Sequence, residues 1–285
     1  MRFKLIYVFV NYNNSQESIL TIESILNTEF DNFDQIIIID NASNTNSIEV
    51  LENFLIHKNN NNIILIKNDN NVGYFGGLNI GINFINQNNL KFDALIIGNN
   101  DLSFPKDFKS MIFNKSNLFL NYPVISPNII TLDGEHQNPH VISSISKIRE
   151  VIYDVIYMNY YFFKILGLLA KLTHSFTDRN DEKQNHIAQE IYQGYGACYI
   201  LTPLFFLNFK ELDNPSFLFY EEFFLSKQLE RVGYKYFYEP EIKLIHRLHT
   251  STGLEPKLKL WKFGRDSHKK YRILNPIFKK FSKQK

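Results

Sequence analysis

The chain has 285 residues, 44% of them hydrophobic, which is enough to bury the core of one large domain and too apolar for disorder to dominate. Its 31 Lys and Arg nearly balance 29 Asp and Glu, so the net charge of +2 excludes the basic excess of a dedicated nucleic-acid binder. A single cysteine, Cys198, rules out an internal disulfide, and without a CxxC or Cys/His cluster for zinc the chain reads as cytoplasmic. Residues 3–10 are apolar but carry no small-residue cleavage site, so they read as a buried first strand rather than a signal peptide. Runs rich in branched residues at Leu5–Val10, Gln35–Ile39, Ile63–Ile66 and Ala94–Ile97 predict strands. Between them Ser15–Asn27, Ser47–Phe54 and Leu78–Asn86 have apolar residues near helical spacing. This alternation, with strands apolar throughout, predicts an α/β fold whose mostly parallel central sheet is flanked by helices on both faces. Polar residues follow most strand ends: Asn11, Asp40, Asn68 and Asn99-Asn100-Asp101. Open α/β sheets bind ligands beyond the carboxyl ends of their strands, so these residues are candidates for one shared site.

The second half is less regular. Strands are expected near Pro123–Ile125, Ala197–Leu201, Tyr236–Tyr238 and Leu244–Ile245, and helices at Asn208–Glu211 and Glu221–Val232, the latter closed by Gly233. No linker separates the halves, so residues 1–253 read as one domain with a nucleotide-binding half (1–101) and an acceptor half (102–253). Residues 145–190 read as a helical insertion; its stretch Val151–Leu172 is interrupted by Asp154, Asn159, Lys164 and Lys171, which argues against a membrane span. Residues 254–285 form a basic helical tail interleaved with Trp261, Phe263, Phe278 and Phe281, suited either to an anionic lipid surface or to a solvated amphipathic helix.

The chemistry-bearing residues are few. Asp40 closes a four-isoleucine strand, where its carboxylate could accept from a base N–H or simply cap a turn. The segment from Asn68 to Gly81, with Gly73, Gly76, Gly77 and Asn79, places glycines where backbone can approach a phosphate-bearing ligand at a helix N-terminus. It follows the third strand rather than the first, which excludes the dinucleotide fingerprint. Asp101, ending an apolar strand, could hold a hard divalent cation together with substrate phosphates. Glu221 and Glu222 sit among aromatics, where desolvation raises a carboxyl toward general-base usefulness. His246, just past a short strand, is a further ligand candidate, with a structural role as the alternative.

Taken in order, Val10-Asn11-Tyr12-Asn13, the Asp40-Asn-Ala-Ser turn, the Asn71–Gly81 segment, Asn99-Asn100-Asp101, Gly196-Ala197-Cys198, Glu221-Glu222 and His246 with Ser251 resemble the family 2 glycosyltransferases of the GT-A fold. The resemblance is strongest to bacterial rhamnosyltransferases of surface-polysaccharide assembly and covers roughly residues 3–253. It implies a GT-A fold and an inverting transfer from a UDP- or dTDP-linked sugar to a glycan or lipid-linked acceptor of a capsule or lipopolysaccharide. By the same resemblance Val10, Asn11, Tyr12, Asn68, Gly73, Gly76, Gly77, Asn79, Asn99 and Asn100 line the donor site, and Asp40 contacts the base. Asp101 binds Mg or Mn with His246 as a further ligand, and Glu222, with Glu221 as runner-up, is the base. Asn99 stands where the family pattern has the first Asp of DxD, and Phe224 where an acid often follows the ED pair. Peripheral contact with the inner face of the cytoplasmic membrane and a homodimer stay open. Competing readings are a noncatalytic nucleotide-sugar or glycan-binding module and a sugar-phosphate nucleotidyltransferase, the latter lacking its basic glycine-rich loop after the first strand.

Overall fold

The strand β1 (Leu5–Asn11) is the centre from which the sheet grows in both directions, pairing in parallel with β2 (Gln35–Asp40) on one side and β4 (Ala94–Asn99) on the other. The computed structural model describes residues 3–165, 181–248 and 257–277. Outside β2 lies β3 (Ile63–Lys67), again parallel. Beyond β4 the sheet turns antiparallel through β8 (Cys198–Leu201), then continues to β6 (Val124–Thr131) and β9 (Tyr236–His246), with β5 (Leu102–Ser103) and β7 (Gln189–Ile191) on β9. The long ladders are parallel and the antiparallel ones short.

Alternate strand residues feed two cores. Leu5, Tyr7, Ile36 and Ile38 meet helices α1 (Ser15–Leu26), α2 (Thr45–Lys58) and α4 (Phe108–Asn114) on one face. Ile6, Val8, Ile37 and Ile39 meet α3 (Tyr74–Gln87), α6 (Pro203–Asn208) and α7 (Glu221–Glu230) on the other. Burial on both faces is why the sequence shows continuous apolar runs there.

Three expectations change. The helix expected from Leu78 begins earlier, at Tyr74, so Gly76 and Gly77 lie inside α3 together with Gly81. A Cβ on Gly77 would come within 2.8 Å of Val10 and one on Gly81 within 2.4 Å of Val8, so these glycines let α3 press onto β1 at a cost in helix propensity. The helix expected at Asn208–Glu211 instead spans Pro203–Asn208, because Pro203 sets the first turn and Phe209 is extended. The two short strands at Tyr236–Tyr238 and Leu244–Ile245 are one strand, β9; the polar Glu239-Pro240-Glu241 between them sits at a register shift against Pro127 and Asn128 of β6. The basic helix α8 (Lys257–Leu274), whose placement the sequence left open, packs on α5 (Lys147–Met158) and α7, burying Trp261 and Tyr271. Leu166–Leu172, His249, Ser251, Phe278, Phe281 and the terminal lysines lie outside the described residues.

Candidate active site

At the carboxyl ends of β1 and β4, where the sheet order reverses, a cavity of about 470 Å³ opens. Val10 and Tyr12 follow from β1, Asn99, Asn100 and Asp101 from β4, Gly73 and Tyr74 from the start of α3, and Glu221 and Glu222 from the first turn of α7. Of the donor-side residues expected from the sequence, Asn11, Asp40, Asn68, Gly76, Gly77 and Asn79 do not line it.

The buried ones form the floor. Asp40, 3% exposed, accepts from Asn11 Nδ2 at 2.7 Å and from the Ser43 backbone N–H at 3.0 Å, so both its oxygens face protein. Asn11 Oδ1 accepts from Ser18 at 2.8 Å, and Asn100 Nδ2 donates to the same Ser18 hydroxyl at 2.8 Å, tying β1, α1 and β4 together. Asn79 exchanges hydrogen bonds with the Leu212 backbone in both directions, which fixes α3 to the acceptor half. The wall residue next to Asp40 is Asn41. It donates to Asn71 Oδ1 at 2.9 Å and to the Gly73 carbonyl at 3.0 Å, and accepts from Asn68 Nδ2 at 3.1 Å. Gly73 has φ +82°, and a Cβ there would lie 1.9 Å from the Phe217 carbonyl oxygen, so only glycine admits the 217–220 loop this closely.

Asp101 is buried, and neither carboxylate oxygen has a hydrogen-bond partner. His246 Nε2 stands 3.1 Å from Oδ1 but outside hydrogen-bond geometry. His246 Nδ1 lies 2.8 Å from Gln137 Oε1; with that oxygen accepting, a neutral ring would carry its proton on Nδ1 and leave the Nε2 lone pair toward Asp101. Asn99 Nδ2 lies 3.4 Å from the same Nε2. Arg247 secures the pair from behind: its backbone N–H donates to the Asp101 carbonyl at 2.9 Å and its guanidinium binds Glu17 and the Leu102 carbonyl, each at 2.7 Å. An unpartnered carboxylate oxygen and a ring nitrogen approached by Asn99 alone thus face each other, which suits a divalent cation that takes its remaining ligands from elsewhere. Among the described residues no group of three His, Cys, Asp or Glu could hold a metal by itself.

Across the cavity, Phe219 (φ +69°) and Tyr220 (φ +70°) are both left-handed immediately before α7. Such backbone is costly for bulky residues and survives only where the surroundings hold it. Here the Phe217 carbonyl accepts from Tyr74 N–H at 3.3 Å, the Leu218 carbonyl from the Ser267 hydroxyl at 2.6 Å, and the Tyr220 hydroxyl meets His268 Nδ1 at 2.8 Å. The turn presents Glu221 inward, 8% exposed with Oε1 unbonded, while Glu222 Oε1 accepts from Gly196 N–H at 3.3 Å. Burial first, and the neighbouring Glu222 charge second, push the Glu221 carboxyl up from 4.5 to about 8. Tyr74, whose hydroxyl donates to the Gly196 carbonyl at 2.9 Å, is driven by burial to stay a phenol. Phe224 is core, packed with Tyr220 and Tyr271.

Sequence reading missed Asn41, Asn71, Tyr74 and Tyr195 as wall residues, the Phe217–Phe219 wall, and Lys259 and Phe263 of α8. The last two stand one helical turn apart, with Phe263 4.8 Å from Phe217 between ring centres. That spacing was visible, but nothing in it distinguishes a cavity wall from a lipid-facing stripe.

Residues 7–117 match the model of the family described as Glycosyl transferase family 2. No curated protein matches the chain. Among solved structures, GalNAc-T7 with UDP, GalNAc and Mn²⁺ superposes with TM-score 0.63 at 13% identity, over 95% of this chain and 48% of that one. The mannosyltransferase PcManGT from Pyrobaculum calidifontis, in complex with GDP-Man and Mn²⁺, superposes with TM-score 0.54 at 10% identity, over 94% of this chain and 62% of that one. The chain therefore spans less than two thirds of either neighbour.

Proposed function

The chain carries a glycosyl transferase family 2 domain over residues 7–117 on a GT-A fold, and from that premise we propose that it is a glycosyltransferase moving a sugar from a nucleotide diphosphate donor to an acceptor hydroxyl with inversion. The observation that carries the reading is the pairing of a bare buried Asp101 beside His246 on one side of the cavity with the Glu221–Glu222 turn on the other. Solved neighbours holding UDP or GDP-Man with Mn²⁺ support a nucleotide-sugar donor and a divalent cation, Mg or Mn. Asp101 and His246 are the residues that would hold that cation, which when bound supplies charge stabilisation for the departing diphosphate.

The chain's own groups account for the rest. Val10, Tyr12 and Asn41 frame the donor end beyond β1, and the Asn11–Asp40–Asn100 floor keeps that end rigid. Glu222 is the base. Its partner Glu221 holds a proton at neutral pH, so the pair's negative charge resides on Glu222, whose Oε1 is oriented by Gly196 N–H. Glu222 takes the acceptor hydroxyl proton as the oxygen bonds to the anomeric carbon and the nucleoside diphosphate leaves with the electron pair. The acceptor is a glycan or lipid-linked saccharide, and the setting is synthesis of a bacterial surface polysaccharide at the cytoplasmic membrane face. Phe224, being core, gives no support to a noncatalytic module.

The test is a panel of UDP-, dTDP- and GDP-sugars assayed for slow hydrolysis with Mn²⁺, Mg²⁺ or chelator. Metal-dependent release of one nucleoside diphosphate is expected; binding of donors without any turnover would favour the binding-module reading.

A further inference from the structure

Helix α5 is reversed relative to an ordinary surface helix. Residues 147–165 contain two acids, Glu150 and Asp154, and both face inward. Glu150 accepts from the Tyr271 hydroxyl at 2.9 Å and from Arg272 Nη1 at 2.6 Å, and Asp154 Oδ1 meets Arg272 Nε and His268 Nε2, each at 2.6 Å. The outer stripe is apolar: Ile148, 75% exposed, is followed by exposed Val151 and Ile152 at helical spacing. Met158 at the end of the helix and Tyr161, Phe162 and Ile165 beyond it are also exposed, Tyr161 by 71%. Packed alongside, the end of α8 exposes Ile273 by 81%. A water-facing segment rarely exposes so many large apolar side chains.

The exposed charges of the 147–165 segment have one sign, whereas on α8 exposed Asp266 stands one turn before exposed Lys269 and Lys270. Lys147 and Lys164 are exposed on that segment. Because the two acids of the segment are engaged in the α5–α8 interface, its outer face is apolar and cationic with no carboxylate. No helix among the described residues is long and apolar enough to cross a membrane. An apolar stripe rimmed by lysines has the form of an element lying in the boundary between headgroups and acyl chains. A second copy of the chain is the poorer fit, since a self-paired α5 face would bring Lys147 and Lys164 together without a carboxylate of that segment to oppose them.

We propose that the outer face of α5 and the segment running to residue 165, with the end of α8, is the docking surface for an anionic lipid membrane. The surface adjoins the chemistry: on the inner side of α5, Tyr157 lies 5.8 Å from Tyr220 and Tyr153 6.1 Å from Phe223, ring centre to ring centre, the residues bracketing Glu221 and Glu222. Docking there holds the acceptor end of the cavity close to the lipid surface, which deepens and rests on the reading of a lipid-linked acceptor.

The experiment uses the full chain and vesicles of phosphatidylcholine with or without phosphatidylglycerol, at low and high salt. Two variants are compared: Ile148→Gln with Val151→Gln and Ile152→Gln, and Lys147→Glu with Lys164→Glu. All the substituted side chains border solvent, and thermal melting confirms that the fold is kept. The wild type is expected to co-sediment with anionic vesicles, at least about tenfold more than with neutral ones and less at high salt, and each variant to lose about tenfold. Donor hydrolysis in solution should be the same for all three. Equal sedimentation of wild type and the triple variant would overturn the proposal, as would a wild-type dimer that ignores vesicles and that the triple variant dissociates. Vesicle binding without donor hydrolysis would remove the enzymatic reading and leave this surface standing; hydrolysis without vesicle binding would do the reverse.

Discussion

Glu221→Gln removes one ionisable group from the buried acidic pair while keeping its size. In the folded chain the Glu221 carboxyl is raised from 4.5 to about 8, burial being the larger cause and the Glu222 charge the second. The folded state therefore keeps a proton at neutral pH that the unfolded chain has released. The group's contribution to stability is complete below pH 4.5 and is lost as the pH climbs through that window to about 8. By pH 7 the loss reaches at most about 3 kcal/mol, so the neutral amide should raise the melting temperature by roughly 5 °C at that pH. At pH 4, where both states hold the proton, the variant should melt with the wild type. The same substitution should leave kcat within about threefold, because a protonated carboxyl is not the base, whereas Glu222→Gln should lower kcat by ~10²–10⁴ with donor affinity kept. Melting curves across pH 4 to 8, paired with single-donor kinetics, check both halves. A stabilisation independent of pH, or a Glu221→Gln enzyme as inactive as Glu222→Gln, would refute the division of roles.

Asp101→Asn keeps the side chain's shape but removes the charge facing His246, so turnover should drop by at least ~10²-fold and added Mn²⁺ should no longer rescue chelated enzyme; activity that persists in chelator counts against a metal at this position. Gly73→Ala would force a Cβ onto the Phe217 carbonyl in a left-handed conformation, and the melting transition should fall by an amount equivalent to about 2–4 kcal/mol; an unchanged transition would show that the 217–220 loop is not held by this contact. Tyr220→Phe breaks the hydroxyl contact to His268 and should cost about 1 kcal/mol of stability. If that contact holds the left-handed turn in place, kcat should fall more than KM changes, and a fall in stability with kcat intact would make it structural only.

The nucleotide-binding half was readable because β1, β2 and β4 are covered on both faces, so Leu5–Val10, Gln35–Ile39 and Ala94–Ile97 stand out as unbroken apolar runs. The polar residue ending each run marked the crevice, although the sequence could not tell that Asp40 turns into the floor while Asn41 faces the opening. The start of α3 was hidden by Gly76 and Gly77, since close helix–sheet packing overrides the penalty glycine carries in a helix. Glu221 and Glu222 were legible as acids among aromatics. The left-handed turn that aims them was not, because Phe219 and Tyr220 disfavour that conformation and only tertiary contacts impose it. The sequence left the placement of α8 open for a related reason: its buried stripe of Trp261, His268 and Tyr271 is matched by inward acids on α5, a complementarity that appears only when the two helices are side by side.

The pairing of β6 with β9 has a consequence for how the molecule is made. Strands β1 to β3 join their sheet neighbours through single helices, and β4 returns to β1 after the third, so the four can assemble before the acceptor half is in place. Val124 of β6 must instead find Tyr236 of β9 across most of the acceptor half, and ladders of such sequence separation form slowly. Asp101 belongs to the early unit, while His246 sits at the last position of the late ladder, opposite Thr131. The donor-side scaffold should therefore acquire protection from hydrogen exchange well before the His246–Asp101 pair exists, and a refolding chain should regain its native fluorescence in stages, with catalytic competence arriving only in the slowest one.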